Sequence, residues 1–182
     1  MQCLDTGLPE VKYLLPQRHA DARGWFMEAF QQARFTALVG RSVDWIQDNH
    51  SQSRQGVLRG LHWQVAPMAQ AKLVRCVAGA VWDVAVDVRL DSPRRGQWTA
   101  QLLSADNAGQ LWIPEGFAHG FLVLSEVAEV LYKVNAPYSP AHERCLRWDD
   151  ASLGIAWPAP VQVVSERDQQ GLSWPLWCGQ SG

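Results

Sequence analysis

Apolar residues recur along this chain in short β-branched runs rather than in long helical stripes. Residues 72–78 (KLVRCVA) and 80–89 (AVWDVAVDVR) form two such runs joined at Gly79. Residues 97–103 (QWTAQLL), 110–113 (QLWI), 119–124 (HGFLVL) and 128–134 (AEVLYKV) continue the series, and 43–51 (VDWIQDNHS) alternates weakly. Turn-forming segments separate the runs: SPRRG at 92–96, SADNAG at 104–109 and PEG at 114–116. The helical pattern lies over 27–39 (MEAFQQARFTALV) and stops at Gly40. Many short strands at regular spacing predict an all-β antiparallel sandwich or barrel. From about Ala151 onward Pro, Gly and Ser increase, which predicts a peripheral C-terminal segment over 151–182 with a turn or two of helix packed outside.

Strand parity adds detail. Trp82, Val84, Val86 and Val88 share one face of their run, and Val81, Asp83, Ala85 and Asp87 share the other. A carboxylate among Val and Ala either faces water or enters a cavity with a partner. Gln47 and Asn49 fall on one face in the same way, and polar groups on an apolar strand often line a ligand-holding barrel.

Composition narrows the class. The 182 residues suit a single domain, 1–182, with a real core; 47% are hydrophobic and 19% charged. A net charge of −2 predicts neither a nucleic-acid nor a membrane surface, since both usually need a basic excess. The opening MQCLDTGLPE does not read as a signal peptide, and no apolar run approaches the ~18 residues of a span, so a cytoplasmic protein is expected. Cys3, Cys76, Cys145 and Cys178 contain no CxxC pair, which predicts reduced thiols and no zinc cluster. Ten tryptophans are scattered from Trp25 to Trp177, which suits core or interface filling.

Two of the five histidines sit beside glycines: His62 in RGLHWQ (59–64) and His119 in IPEGFAHGF (113–121). The second resembles the P-x-G-x-x-H motif of cupin barrels. A metal-binding cupin would show H-x-H in its first motif, and here that place reads His62-Trp63-Gln64, so a three-histidine metal site is not expected. Acid–base work is then the natural use for these imidazoles, although each alone is as readily a hydrogen-bonded structural residue. Asp83 suits orientation of an imidazole or a solvent-facing strand position. Lys72 suits stabilisation of negative charge or a charged strand edge. Tyr132 suits proton donation or core filling. Arg23 and Arg59 each precede a Gly and suit a phosphate grip. No GxGxxG, Walker loop, G-x-S-x-G or HExxH occurs, so hydride transfer, P-loop chemistry and the familiar hydrolase designs lose weight.

Several long segments carry a closer resemblance: DARGWFMEAF (21–30), QDNHSQSRQGVLRGLHWQ (47–64), AKLVRCVAGAVWDVAVDVR (71–89), residues 96–133 and SPAHERCLRWDD (139–150). From about residue 5 to residue 168 the sequence resembles the dTDP-4-dehydrorhamnose 3,5-epimerases, metal-free cupin enzymes. The resemblance implies a cupin-type β-sandwich barrel (jelly roll) with small peripheral helices and no cofactor. It implies epimerisation of dTDP-4-dehydro-6-deoxy-D-glucose at C3 and C5, feeding surface polysaccharide, by a homodimer that exchanges N-terminal strands. His62 would be the base, Asp83 would hold its imidazole, Tyr132 would return the proton and Lys72 would neutralise the enolate. His119 would help place the sugar. Arg23, Gln47, Asn49, Arg59 and Glu143 would grip the substrate, Phe26 and Tyr138 would flank the thymine, and Glu28 would reach in from a neighbouring subunit. Rivals are a single-carbon epimerase, a non-catalytic sugar-nucleotide binder and a metal-dependent cupin. Departures from the family pattern are Trp63 for tyrosine, Ala71 for glycine, Ala136-Pro137 for an acidic–aromatic pair, and Arg167 for a substrate-binding lysine.

Overall fold

The computed structural model describes residues 1–179. The chain runs β1 (Gln2–Asp5), β2 (Lys12–Leu15), β3 (Arg18–Asp21), β4 (Gly24–Met27), α1 (Gln32–Val39), β5 (Gln47–Arg54), β6 (Val57–Gln64), β7 (Lys72–Ala78), β8 (Ala80–Asp87) and β9 (Trp98–Ser104). It continues β10 (Gln110–Ile113), β11 (Phe117–Val123), β12 (Val127–Val134), β13 (Glu143–Cys145), β14 (Val163–Val164), α2 (Glu166–Gln169) and α3 (Trp174–Gly179). One sheet has the order β1-β2-β10-β7-β12-β5. The other has the order β13-β6-β11-β8-β9, with β14 added parallel to β6. Strands β3 and β4 pair only with each other.

The expected sandwich follows from which faces are apolar. Val74, Cys76, Leu111 and Val130 of the first sheet pack against Val81, Ala85, Leu103, Phe117 and Phe121 of the second, all nearly inaccessible. Each fully buried large apolar side chain contributes about 1.5–3 kcal/mol from transfer alone. The outer face of the second sheet is covered by the C-terminal chain. There Trp63 meets Trp177 edge-on at 4.9 Å, and Trp98, Trp157 and Trp174 complete a tryptophan-rich layer. The outer face of the first sheet is covered by α1, whose Phe35 packs edge-on against Trp45 and Trp112. The scattered tryptophans are thus mostly filling between layers, and Trp25 stands 57% exposed on β4.

The helix over 27–39 begins later than the pattern predicts. Met27 closes β4, and α1 starts at Gln32 with the Gln31 side chain accepting from the Arg34 N–H. Its stop is as predicted: Gly40 adopts φ 79° and its N–H bonds back to the Thr36 carbonyl. The 57–64 strand, β6, was not expected, because RGLHWQ lacks a β-branched run. Pairing to β11, β13 and β14 makes it a central strand regardless.

Candidate active site

A pocket of about 680 Å³ opens between the two sheets. The first sheet offers it Gln47, Asn49 and Ser51 from β5, Lys72 from β7 and Tyr132 from β12. These share one face because Asn49 pairs with Tyr132, and Tyr132 with Val74, two residues on from Lys72. The second sheet offers Arg59 and His62 from β6 and His119 and Phe121 from β11. Across the mouth lie Tyr138, Glu143, Val163, Val164, Ser165, Arg167 and Asp168. His62 and Tyr132 therefore enter one cavity from opposite walls.

The glycines beside the histidines have a steric reason. Gly60 adopts φ 121°, and a Cβ there would lie 2.5 Å from the Gly120 Cα. This close approach seats His119 opposite His62 in the β11–β6 register.

The carboxylate partnerships differ from expectation. His62 Nε2 lies 2.6 Å from Asp168 Oδ1, and the other Asp168 oxygen accepts from the Gly60 N–H at 3.1 Å. Asp83 does not hold His62. Both its oxygens lie 3.0 Å from His119 Nε2. Strand order is the cause: β11 stands between β8 and β6, so Asp83 meets the imidazole of the adjacent strand. The carboxylate that meets His62 comes instead from α2, which follows the strand pairing on the far side of β6. Sequence reasoning missed Asp168. The signals were the family-like SERD at 165–168, of which only Arg167 enters the predicted site, and Ser165-x-x-Asp168 as a helix-start pattern; Ser165 does cap α2 by accepting from the Asp168 N–H. That pattern says nothing of a carboxylate turning into a cavity. The 151–182 segment is accordingly not peripheral throughout: residues 163–168 close the pocket.

The electrostatics suit proton transfer. Burial alone would raise the Asp168 carboxyl, but bonds from His62 and the Gly60 N–H outweigh it and hold it below the ordinary range. Burial lowers the Lys72 ammonium to about 8, against the pull of Asp83 and Glu143, while its Nζ donates to the His62 carbonyl at 3.0 Å. Burial also raises the Tyr132 phenol, so it keeps its proton at neutral pH. Burial lowers His119 despite Asp83, so this imidazole is neutral there. Burial, with Asp168 next in weight, pushes the Cys145 thiol up to about 12.

At the mouth, Tyr138 donates to Glu143 at 2.7 Å and Glu143 pairs with Arg167. Gln64, where a metal cupin would have its second histidine, ties down this loop instead. Its Nε2 donates to the Met68 and Pro137 carbonyls and its Oε1 accepts from the Ser139 N–H. Gln70 donates to the Ala136 carbonyl at 2.7 Å, so the Ala136-Pro137 departure sits in a pinned segment. Three predicted residues are not brought to this pocket. Arg23 pairs with Asp21, Glu28 with Arg34, and Phe26 is 72% exposed on the β3–β4 hairpin.

Residues 5–175 match the family model described as dTDP-4-dehydrorhamnose 3,5-epimerase. The chain belongs to the dTDP-4-dehydrorhamnose 3,5-epimerase family. The family's Shigella flexneri member is 53% identical over 94% of both chains, and that of Salmonella typhimurium 53% over 92% of both. A crystal structure of dTDP-6-deoxy-D-glucose-3,5-epimerase from Legionella pneumophila, in complex with dTDP-4-keto-L-rhamnose, superposes with a TM-score of 0.94. It is 43% identical, and the match covers 99% of this chain and 96% of that one. The fold of this epimerase is thus the expected cupin-type β-sandwich, and the chain is an isomerase of sugar nucleotides.

Proposed function

We propose that this chain performs the family's 3,5-epimerisation of dTDP-4-dehydro-6-deoxy-D-glucose through His62 as base and Tyr132 as acid. The observation that carries the assignment is their entry into one pocket from opposite sheets. Inverting a carbon requires removing a proton on one face and returning one on the other. Asp168 occupies Nε2 of His62, which leaves Nδ1 to take the proton next to the 4-keto group. The electron pair moves into an enolate, whose oxygen the Lys72 ammonium stabilises; one such aimed charge contributes about 3–4 kcal/mol in a dry site. The Tyr132 phenol then protonates the carbon from the far side, and solvent resets both groups. His119, held by Asp83, positions the sugar. Gln47, Asn49, Arg59, Glu143 and Arg167 hold the rest of the substrate, and Tyr138 stacks on the base.

The working form is a homodimer in which the β3–β4 hairpin carries Arg23, Phe26 and Glu28 to the partner's pocket. What supports this is that all three lie outside their own pocket, Arg23 and Phe26 on a hairpin paired with neither sheet and Glu28 directly after it. A cytoplasmic location is supported by four free cysteines, as a reducing compartment leaves them. Among the described residues no helix is long and apolar enough to cross a membrane.

Proton NMR in D₂O with dTDP-4-dehydro-6-deoxyglucose tests the chemistry. Deuterium should enter at both C3 and C5, with an L-rhamno product trapped by a reductase. Deuterium at one carbon alone would make this a single-site epimerase, and no exchange would overturn the catalytic reading.

A further inference from the structure

The third strand against the His62–Asp168 pair brings a thiol that proton transfer does not use. Cys145 on β13 pairs with His62 on β6 across the ladder. Its Sγ lies 4.0 Å from the Asp168 oxygen that holds His62. One donor atom from each of His62, Asp168 and Cys145 falls within 4.8 Å of the others. We propose that these three residues form a binding site for a zinc-class divalent cation, and that its occupation switches the epimerase off.

The donor set selects the ion. Imidazole nitrogen, carboxylate oxygen and thiolate sulfur suit Zn²⁺ and Co²⁺, whereas Mg²⁺ and Ca²⁺ demand oxygen cages. Zinc bonds of about 2.0–2.3 Å place tetrahedral donors roughly 3.4–3.6 Å apart. The present spacings straddle that value: the 2.6 Å His62–Asp168 contact opens and the thiol closes in. Three protein ligands leave a fourth position for water, on the pocket side that His62 and Asp168 line. Coordination strips the thiol of its proton, which leaves to solvent. Thiolate and carboxylate then neutralise the ion's charge within a half-buried site.

The consequence rests on the role given to His62 above. A cation on Nε2 replaces Asp168, draws electron density from the ring and makes Nδ1 a poor base. The site is therefore inhibitory, and it exists because position 145 is cysteine.

Two readouts separate the site from the chemistry. Co²⁺ titrated into the chelator-treated full chain should give a near-ultraviolet thiolate-to-cobalt band, lost in Cys145→Ser and Cys145→Ala. Zn²⁺ should protect Cys145 of the unaltered chain from alkylation, read by mass spectrometry, so the site is testable even if neither variant folds. Zn²⁺ should abolish deuterium exchange reversibly, and the variants should need about 10–100-fold more of it, each against its own metal-free rate. A band unchanged in both variants, or an unprotected Cys145, would overturn the site. Occupation without loss of exchange would overturn the switch. A cobalt band in a chain that never exchanges deuterium would support the site and sink the His62 assignment instead.

Discussion

Asp168 shows how much one side chain decides here. It accepts from Gly60 with one oxygen and from His62 with the other, which fixes both the tautomer and the tilt of the imidazole. Asp168→Asn should lower turnover by about 10²-fold or more with little change in KM, since it removes the orientation of the base and not the substrate grip. Asp83→Asn should act through His119 and so raise KM more than it lowers kcat. Equal kcat losses in the two variants would return Asp83 to the role first expected of it. Lys72 carries a pH dependence with a definite sign. Its ammonium, lowered to about 8 by burial, is charged below that pH and neutral above it, so kcat should fall as pH rises through about 8. Lys72→Arg should move that limb upward, because a guanidinium does not titrate there. A limb that stays at the same pH in the variant would assign it to another group.

Elements, not single residues, set the site's shape. The Gly60–Gly120 contact lets β6 and β11 approach closely enough to hold His62 opposite His119. Gly60→Ala would place its Cβ 2.7 Å from the His119 carbonyl in a conformation L side chains rarely adopt. It should therefore lower the thermal midpoint and scramble the His62–Asp168 geometry together. On the outer face, Phe35 locks α1 over Trp45 and Trp112. Phe35→Ala should cost about 3–5 kcal/mol by denaturant melting while leaving the pocket's residues in place. The element missed in the sequence, β6, is the one carrying His62. It lacks a β-branched run and carries Gly60 at its centre, and it is a strand because three neighbours pair with it.

The whole molecule divides its labour between two sheets and a returning C-terminal chain. The sheets present Tyr132 and His62 from opposite walls, and the returning chain closes the cavity and sets Asp168 against His62. The β3–β4 hairpin holds Phe26 and Trp25 in solvent, an exposure that the proposed dimer would remove. Sedimentation should show a dimer at micromolar concentration. Phe26→Ala should raise KM for the nucleotide sugar far more than it lowers kcat. A stable monomer with full activity would overturn the exchange of hairpins.

Local chemistry was readable along the chain, because strand parity, turn residues and glycine-flanked histidines depend on neighbours a few positions away. The sandwich and the stop of α1 at Gly40 follow from such patterns; parity left Asp83 between solvent and a cavity, and the family resemblance supplied the candidate roles of His62, Lys72 and Tyr132. The pairing of carboxylates with imidazoles was not readable. Asp168 lies 106 positions from His62 and Asp83 only 21 away, yet strand order places β11 between Asp83 and His62. A side chain some 100 residues off wins because a hydrogen bond depends on distance in space, and only the closed fold sets that distance.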